Sequence, residues 1–146
     1  MTSKAFAVTP RDYDRPLNVV GEQIIVLASG ARTGGYEIFL QRGPAGSGPP
    51  PHSHDWDESF YVTKGQLEFG LAEKTMTGTA GTLVHVPAGT THWFRFGAGG
   101  GEMISMTSRE GASKFFADVD REVPSARPGS SQIVTVAMRH GLKIKS

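Results

Sequence analysis

Glycine and proline place the strongest limit on this chain. Nineteen glycines and nine prolines stand among its 146 residues, nearly a fifth of the sequence where about 12% is ordinary. Punctuation that dense interrupts long helices and favours short extended runs joined by tight reversals. The runs between are rich in β-branched and aromatic residues, as an antiparallel sandwich or barrel requires. Strands are predicted at Val19–Ala28, Tyr36–Arg42, Glu58–Lys64, Gln66–Leu71, Thr82–Val86, His92–Phe96 and Glu102–Thr107. The alternation is cleanest in Gln66–Leu71, where Leu67, Phe69 and Leu71 share one face. Lys64-Gly65 suits a hairpin turn, and the glycine-dense stretches Gly43–Pro51 and Gly97–Gly101 read as loops. After Thr107 the pattern changes. Phe115, Phe116 and Val119 fall on one side of a helical wheel, which predicts a short helix near Lys114–Val119. A second helix is predicted over Ser131–His140, with Ser130 or Ser131 as its N-cap and Gly141 just past its end, although Ile133–Val136 is β-branched throughout. The fold class is therefore all-β with one or two short C-terminal helices.

Composition removes several function classes. Fifteen Lys and Arg balance fourteen Asp and Glu, a formal charge of +1 with no long run of either sign, so neither nucleic acid nor an anionic membrane is an expected partner. There is no cysteine, which excludes disulfides, thiolate metal sites and thiol nucleophiles. Any metal must be held by His, Asp or Glu. Met1–Val8 lacks the apolar run of a signal peptide, and the longest apolar run, Ile24–Ala28, has five residues, so the expected address is the cytoplasm. The length predicts one domain over residues 1–146.

Four of the five histidines lie between positions 52 and 92. His52 and His54 are two apart and share a face if the chain is extended, and Glu58 continues that parity. His92, following Pro87-Ala88-Gly89, is placed to arrive from a neighbouring antiparallel strand. Three neutral imidazoles and one carboxylate suit one divalent Fe, Mn, Ni, Cu or Zn ion, whereas Mg and Ca call for more oxygen ligands.

These residues resemble the cupins, small jelly-roll barrels. The first cupin signature is matched at every interval by Gly46, His52, His54, Glu58 and Gly65; the second is matched by Gly81, Pro87, Gly89 and His92 and then departs, with Phe96 where the family prefers Asn. For this composition the four ligand-type residues fall at such intervals by chance on the order of 2 times in 10,000. The resemblance implies a cupin-type double-stranded β-helix, and the tail around Lys114–Asp120 and Arg139-His140-Gly141 is similar to single-domain bacterial cupins of quercetin-dioxygenase-like type. It implies a metal-dependent oxygenase acting on an enolic or aromatic small molecule, with Glu58 leaving the metal or taking a substrate proton, and a homodimer. A metal-assisted isomerase, cyclase or decarboxylase uses the same four ligands, and a non-catalytic metal- or ligand-binding cupin is the reading from another class.

Phe60 and Val62 share strand parity with Glu58, and Phe94 and Phe96 share it with His92. Phe60, Phe94 and Phe96 are thus either plain core or the apolar wall of a substrate pocket over the metal. Asp55, Trp56 and Asp57 form a turn within reach of an imidazole N–H. Arg42, Arg95 and Arg109 are candidates for holding an acidic substrate. His85 fills no signature position and reads as a structural or surface histidine, and His140 reads as a cation on the last helical turn.

Overall fold

The computed structural model describes residues 3–145. Its elements are β1 (Leu17–Val19), β2 (Glu22–Ala28), α1 (Gly30–Thr33), β3 (Glu37–Gly43), β4 (His52–Ser53), β5 (Glu58–Leu71), β6 (Lys74–Thr79), β7 (Leu83–Val86), β8 (His92–Thr107), α2 (Ala112–Glu122), α3 (Ser131–Arg139) and β9 (Lys143–Ile144). Every strand pairing is antiparallel. The expected all-β jelly roll with two C-terminal helices is present. Among the described residues no helix is long and apolar enough to cross a membrane.

β5 and β8 organise the sheet. Their ladder runs from Glu58 opposite Thr107 to Leu71 opposite His92 and breaks register on either side of Gly65, which faces Gly101. Before that break β5 pairs with β7, and β8 pairs with β3, extending one layer as β1-β2-β3-β8-β5-β7. Beyond it β5 pairs with β6, and β8 pairs with β4, giving a second layer as β9-β4-β8-β5-β6. The layers close on Phe60, Val62, Val84, Val86 and Met103 from the first and Leu67, Phe69, Phe94 and Phe96 from the second. Phe60 meets Phe94 at 5.5 Å and Phe69 at 5.7 Å between ring centroids.

Two stretches therefore differ from the sequence reading. Lys64-Gly65 is not a hairpin turn, and Gly97–Gly101 is not a loop; both lie inside continuous strands, at the bend where β5 and β8 pass from one layer to the other. A strand that changes layers needs a kink or bulge, and glycine supplies it. Gly65 sits at φ +69°, and a Cβ placed there would lie 2.3 Å from the Gly100 carbonyl oxygen. The predicted strand Val19–Ala28 is likewise split: Val20 and Gly21, both at positive φ, form a two-residue hairpin turn. Valine is a poor turn residue, but Val20 is 5% exposed and its burial offsets the strain. β6, whose side chains are mostly exposed, was not predicted, because Lys74–Thr79 carries no apolar alternation.

The helices cover one end of the sandwich. Phe115 and Val119 of α2 and Ile133, Val136 and Ala137 of α3 pack on Val19, Val20, Ile24, Phe39 and Trp56. α3 begins as predicted, with Ser130 Oγ accepting from the Ile133 amide at 3.3 Å, and burial of its β-branched face outweighs weak helix propensity. Leu142 continues that core, and β9 pairs with β4 through Ile144 opposite His52.

The bend gives a direct test. Gly65→Ala should lower stability by about 2 kcal/mol or more, since the left-handed conformation and the carbonyl clash add. Gly81→Ala, also at positive φ (+96°) but with nothing within 4 Å of a new Cβ, should lose about 1 kcal/mol. Urea denaturation of the two variants measures the difference.

Candidate metal centre

Pro49–Pro51 lead into β4, where His52 stands directly opposite His92 of β8. His54 follows the two-residue strand, and Glu58 opens β5 after a turn through Asp55, Trp56 and Asp57. The turn expected at Asp55–Asp57 is present, so that Glu58 reaches the histidines from the other layer and not by strand parity with them. The four side chains lie together. One ring nitrogen from each of His52, His54 and His92 falls within 4.8 Å of the other two, and Glu58 Oε1 lies 3.1 Å from His54 Nε2 and 3.4 Å from His92 Nε2. None is more than 7% exposed.

Backbone carbonyls fix the rings. His52 Nδ1 donates to Pro50 O at 2.8 Å, His54 Nδ1 to Trp56 O at 3.0 Å and His92 Nδ1 to Thr90 O at 2.9 Å. A carbonyl oxygen only accepts, so each neutral ring carries its proton on Nδ1 and presents a lone pair at Nε2. Such a bond on the far ring nitrogen is how ligating histidines are oriented. The lone pairs of His54 and His92 then face an oxygen of Glu58, which is repulsive unless a cation lies among them. His92 Nε2 is buried without a hydrogen-bond partner. Burial pushes the Glu58 carboxyl up, but His54 and His92, when they take a proton at Nε2, outweigh it by hydrogen bond and charge and hold it at about 2. Burial drives His52 down to about 3. An anionic carboxylate and a neutral imidazole are the forms that bind a transition ion.

The cluster opens into a cavity of about 60 Å³. Its polar lining is Glu22, Gln41, His52, His54 and Glu58; Phe94, Phe115, Phe116, Ile133 and Leu142 supply much of the apolar wall. Trp56 stacks on His54 at 4.3 Å with rings 8° from parallel, and its indole N–H is buried without a partner. Of the three phenylalanines singled out in the sequence, Phe94 lines the cavity. Phe60 lies beneath it, 6.3 Å from His92 between ring centroids. Phe96 sits deeper at the bend, where a Cβ on Gly43 would come within 2.5 Å of its ring, so the bulk that replaces the signature asparagine packs the corner.

The remaining candidates fall outside the cavity. Arg42 pairs with Glu102 and Arg109 with Asp55, and Arg95 lies over the Trp93 ring. His85 is exposed and bonded to Ser59 Oγ, and His140 bonds Asp118 at 2.7 Å. The turn serves His54 through the Trp56 carbonyl, while the Asp57 carboxylate accepts from the Ala88 amide. Sequence reasoning missed Glu22 and Gln41. A single carboxylate in a strand carries no sign of burial, and Glu22, 2% exposed, lines a cavity that residues of α2 and α3 help to wall.

Residues 39–105 match the family model described as Cupin domain. KdgF from Halomonas sp. superposes with a TM-score of 0.67 at 19% identity, covering 73% of this chain and 96% of its own. The polyketide cyclase RemF from Streptomyces resistomycificus gives 0.62 at 18%, covering 72% and 80%. The Bacillus subtilis oxalate decarboxylase, which has Mn(II) centers, gives 0.61 at 14%, covering 74% of this chain and 31% of its own. No curated protein matches the sequence. Residues 39–105 are thus similar to a cupin domain, and the fold is the cupin-type jelly roll, with a three-histidine cluster suited to a metal ion.

Glu22 gives a pH test. Burial raises its carboxyl from the usual 4.5 to about 8, against the Gln41 hydrogen bond and helped by the charge of Glu58. The unfolded chain therefore releases this proton first. The stabilisation is full below pH 4.5, declines above it and is lost as pH passes about 8. Relative to wild type, Glu22→Gln should gain on the order of a few kcal/mol between pH 4.5 and pH 8. Urea denaturation across that range reads the difference.

Proposed function

We propose that the protein is a metal-dependent small-molecule enzyme in which His52, His54, His92 and Glu58 hold one divalent transition ion, Fe, Mn, Ni, Cu or Zn, and that its reaction is of dioxygenase type on an enolic or aromatic substrate. The carrying observation is the set of three Nδ1–carbonyl bonds, which leave bare imidazole nitrogens converging on the Glu58 carboxylate. When bound, the ion supplies a Lewis acid and a template for substrate oxygen. Glu58 is an anion beside that position and serves as acceptor for a substrate proton. Phe94, Phe115, Phe116 and Ile133 exclude water from the reacting end.

A cavity of about 60 Å³ is less than half the ~150 Å³ that admits benzene in an engineered protein core. That size favours a small enolic substrate over a flavonol with the helical cover in place. It also supports a second reading, a cyclase, isomerase or decarboxylase that consumes no oxygen, because a second carboxyl, Glu22, lines the same space and proton transfers need such groups. As part of the same proposal, residues 1–146 act as one domain whose tail completes the cavity. The protein pairs as a homodimer, consistent with exposed Tyr61 and Leu83 standing opposite each other on the outer face of the first layer.

Elemental analysis of protein purified without chelator should give one ion per chain. His52→Ala, His54→Ala and His92→Ala should each lose it and remain folded, since the interlayer core does not include them. Saturating the site at 100 times Kd should add ~2.7 kcal/mol of stability. Metal affinity should fall as pH drops from about 7 to about 5, because free histidine titrates near ~6.5. Stoichiometric metal in the alanine variants would sink the ligand assignment. Turnover with oxygen uptake in an electrode separates the dioxygenase reading from the second.

A further inference from the structure

The cavity has a second polar corner, on the layer that faces the histidine strands. Glu22 of β2 and Gln41 of β3 both line it and are each 2% exposed. Gln41 is held at both ends: its Oε1 accepts from the Ser105 hydroxyl, and its Nε2 donates to Glu22 Oε1 at 2.7 Å. The amide orientation is thereby set, and with it the carboxyl plane. The other carboxyl oxygen receives no hydrogen bond from the described residues. Burial keeps this carboxyl protonated at neutral pH, so that oxygen can both donate and accept. No lysine or arginine lines the cavity; Arg42 and Lys64 are engaged with Glu102 outside it.

We propose that Glu22, oriented by Gln41, is the second anchor of the site and selects small molecules carrying an uncharged hydroxyl or carbonyl oxygen away from the end held at the histidines, against those carrying a second carboxylate there. The inference rests on the metal reading only for the ligand's first end. A hydroxyl at Glu22 pairs with a group that gives and takes a hydrogen bond, and a ligand lacking it leaves a buried polar group unpaired. A carboxylate at the same place meets no cation and adds charge near Glu58.

The test is calorimetric titration of zinc-loaded protein with glycolate, propionate and malonate, with metal content measured in every sample. Glycolate and propionate match in size and share one carboxylate, differing in a distal hydroxyl against a distal methyl; malonate carries a distal carboxylate. Wild type should bind glycolate about tenfold more tightly than either. Glu22→Gln, still an uncharged donor and acceptor, should keep that preference. Glu22→Leu should reduce it to about threefold or less with unchanged zinc, and Gln41→Leu, which frees the carboxyl, should do the same and stands in if the first variant fails to fold. A glycolate preference that survives in both leucine variants would mean that the ion alone reads the hydroxyl, and the proposal fails. It fails equally if malonate matches glycolate, or if zinc-loaded wild type binds no glycolate. Wild-type protein that holds no zinc counts against the metal reading alone; the same preference and the same losses are then expected in the metal-free protein, and their absence there overturns the role of Glu22.

Discussion

The bend shared by β5 and β8 is the constraint from which the rest follows. Glu58 and Leu71 are the two ends of one strand, and thirteen residue steps of straight strand would separate them by roughly 43 Å. Leu71 stands opposite His92, yet Glu58 Oε1 lies 3.4 Å from His92 Nε2. Only a ribbon folded back on itself can do both. Gly65 and Gly101, facing each other at the crease, allow the two backbones to touch where any side chain would hold them apart. The interlayer core and the four-residue cluster are consequences of that fold.

The cluster then depends on backbone rather than on other side chains. Carbonyls of Pro50, Trp56 and Thr90, each two residues from its histidine in sequence, orient the rings. Local chain geometry therefore fixes the tautomers before any ion arrives, and the apolar cover raises the strength of every charge inside it. Glu22 and Glu58 show how that environment divides two like groups. The carboxyl beside the imidazoles is held low, while the one whose neighbour is an amide is driven high.

The cluster was legible in the sequence because its spacings are local or bridged by strands of fixed length. His52, His54 and Glu58 span a single turn, and the Pro87-Ala88-Gly89 reversal delivers His92. The Ser130 cap and Gly141 marked the last helix for the same reason. What stayed hidden depends on distant contacts. A glycine run reads alike as a loop and as a crease, and only the approach of Gly43, Gly65 and Gly101 distinguishes them. Glu22 and Gln41 carry no pattern of their own, and the cavity they line is walled in part by α2 and α3, which come much later in the chain. Phe96 was placed correctly inside the sandwich, but its depth is set by the crease rather than by strand parity.

The helical cover has a kinetic consequence. His52, His54, Glu58 and His92 are between 2% and 7% exposed, and Phe115, Phe116, Ile133 and Leu142 line the same cavity as His52, His54 and Glu58. An ion or a ligand held there as proposed would pass the same side chains. Passage would then be coupled to displacement of the tail, whose last strand is laced to the one that carries His52, and such local openings have their own free energy, separate from that of the bonds inside. The residence time of an ion held there as proposed would measure how often the tail lifts as well as how strongly the imidazoles hold.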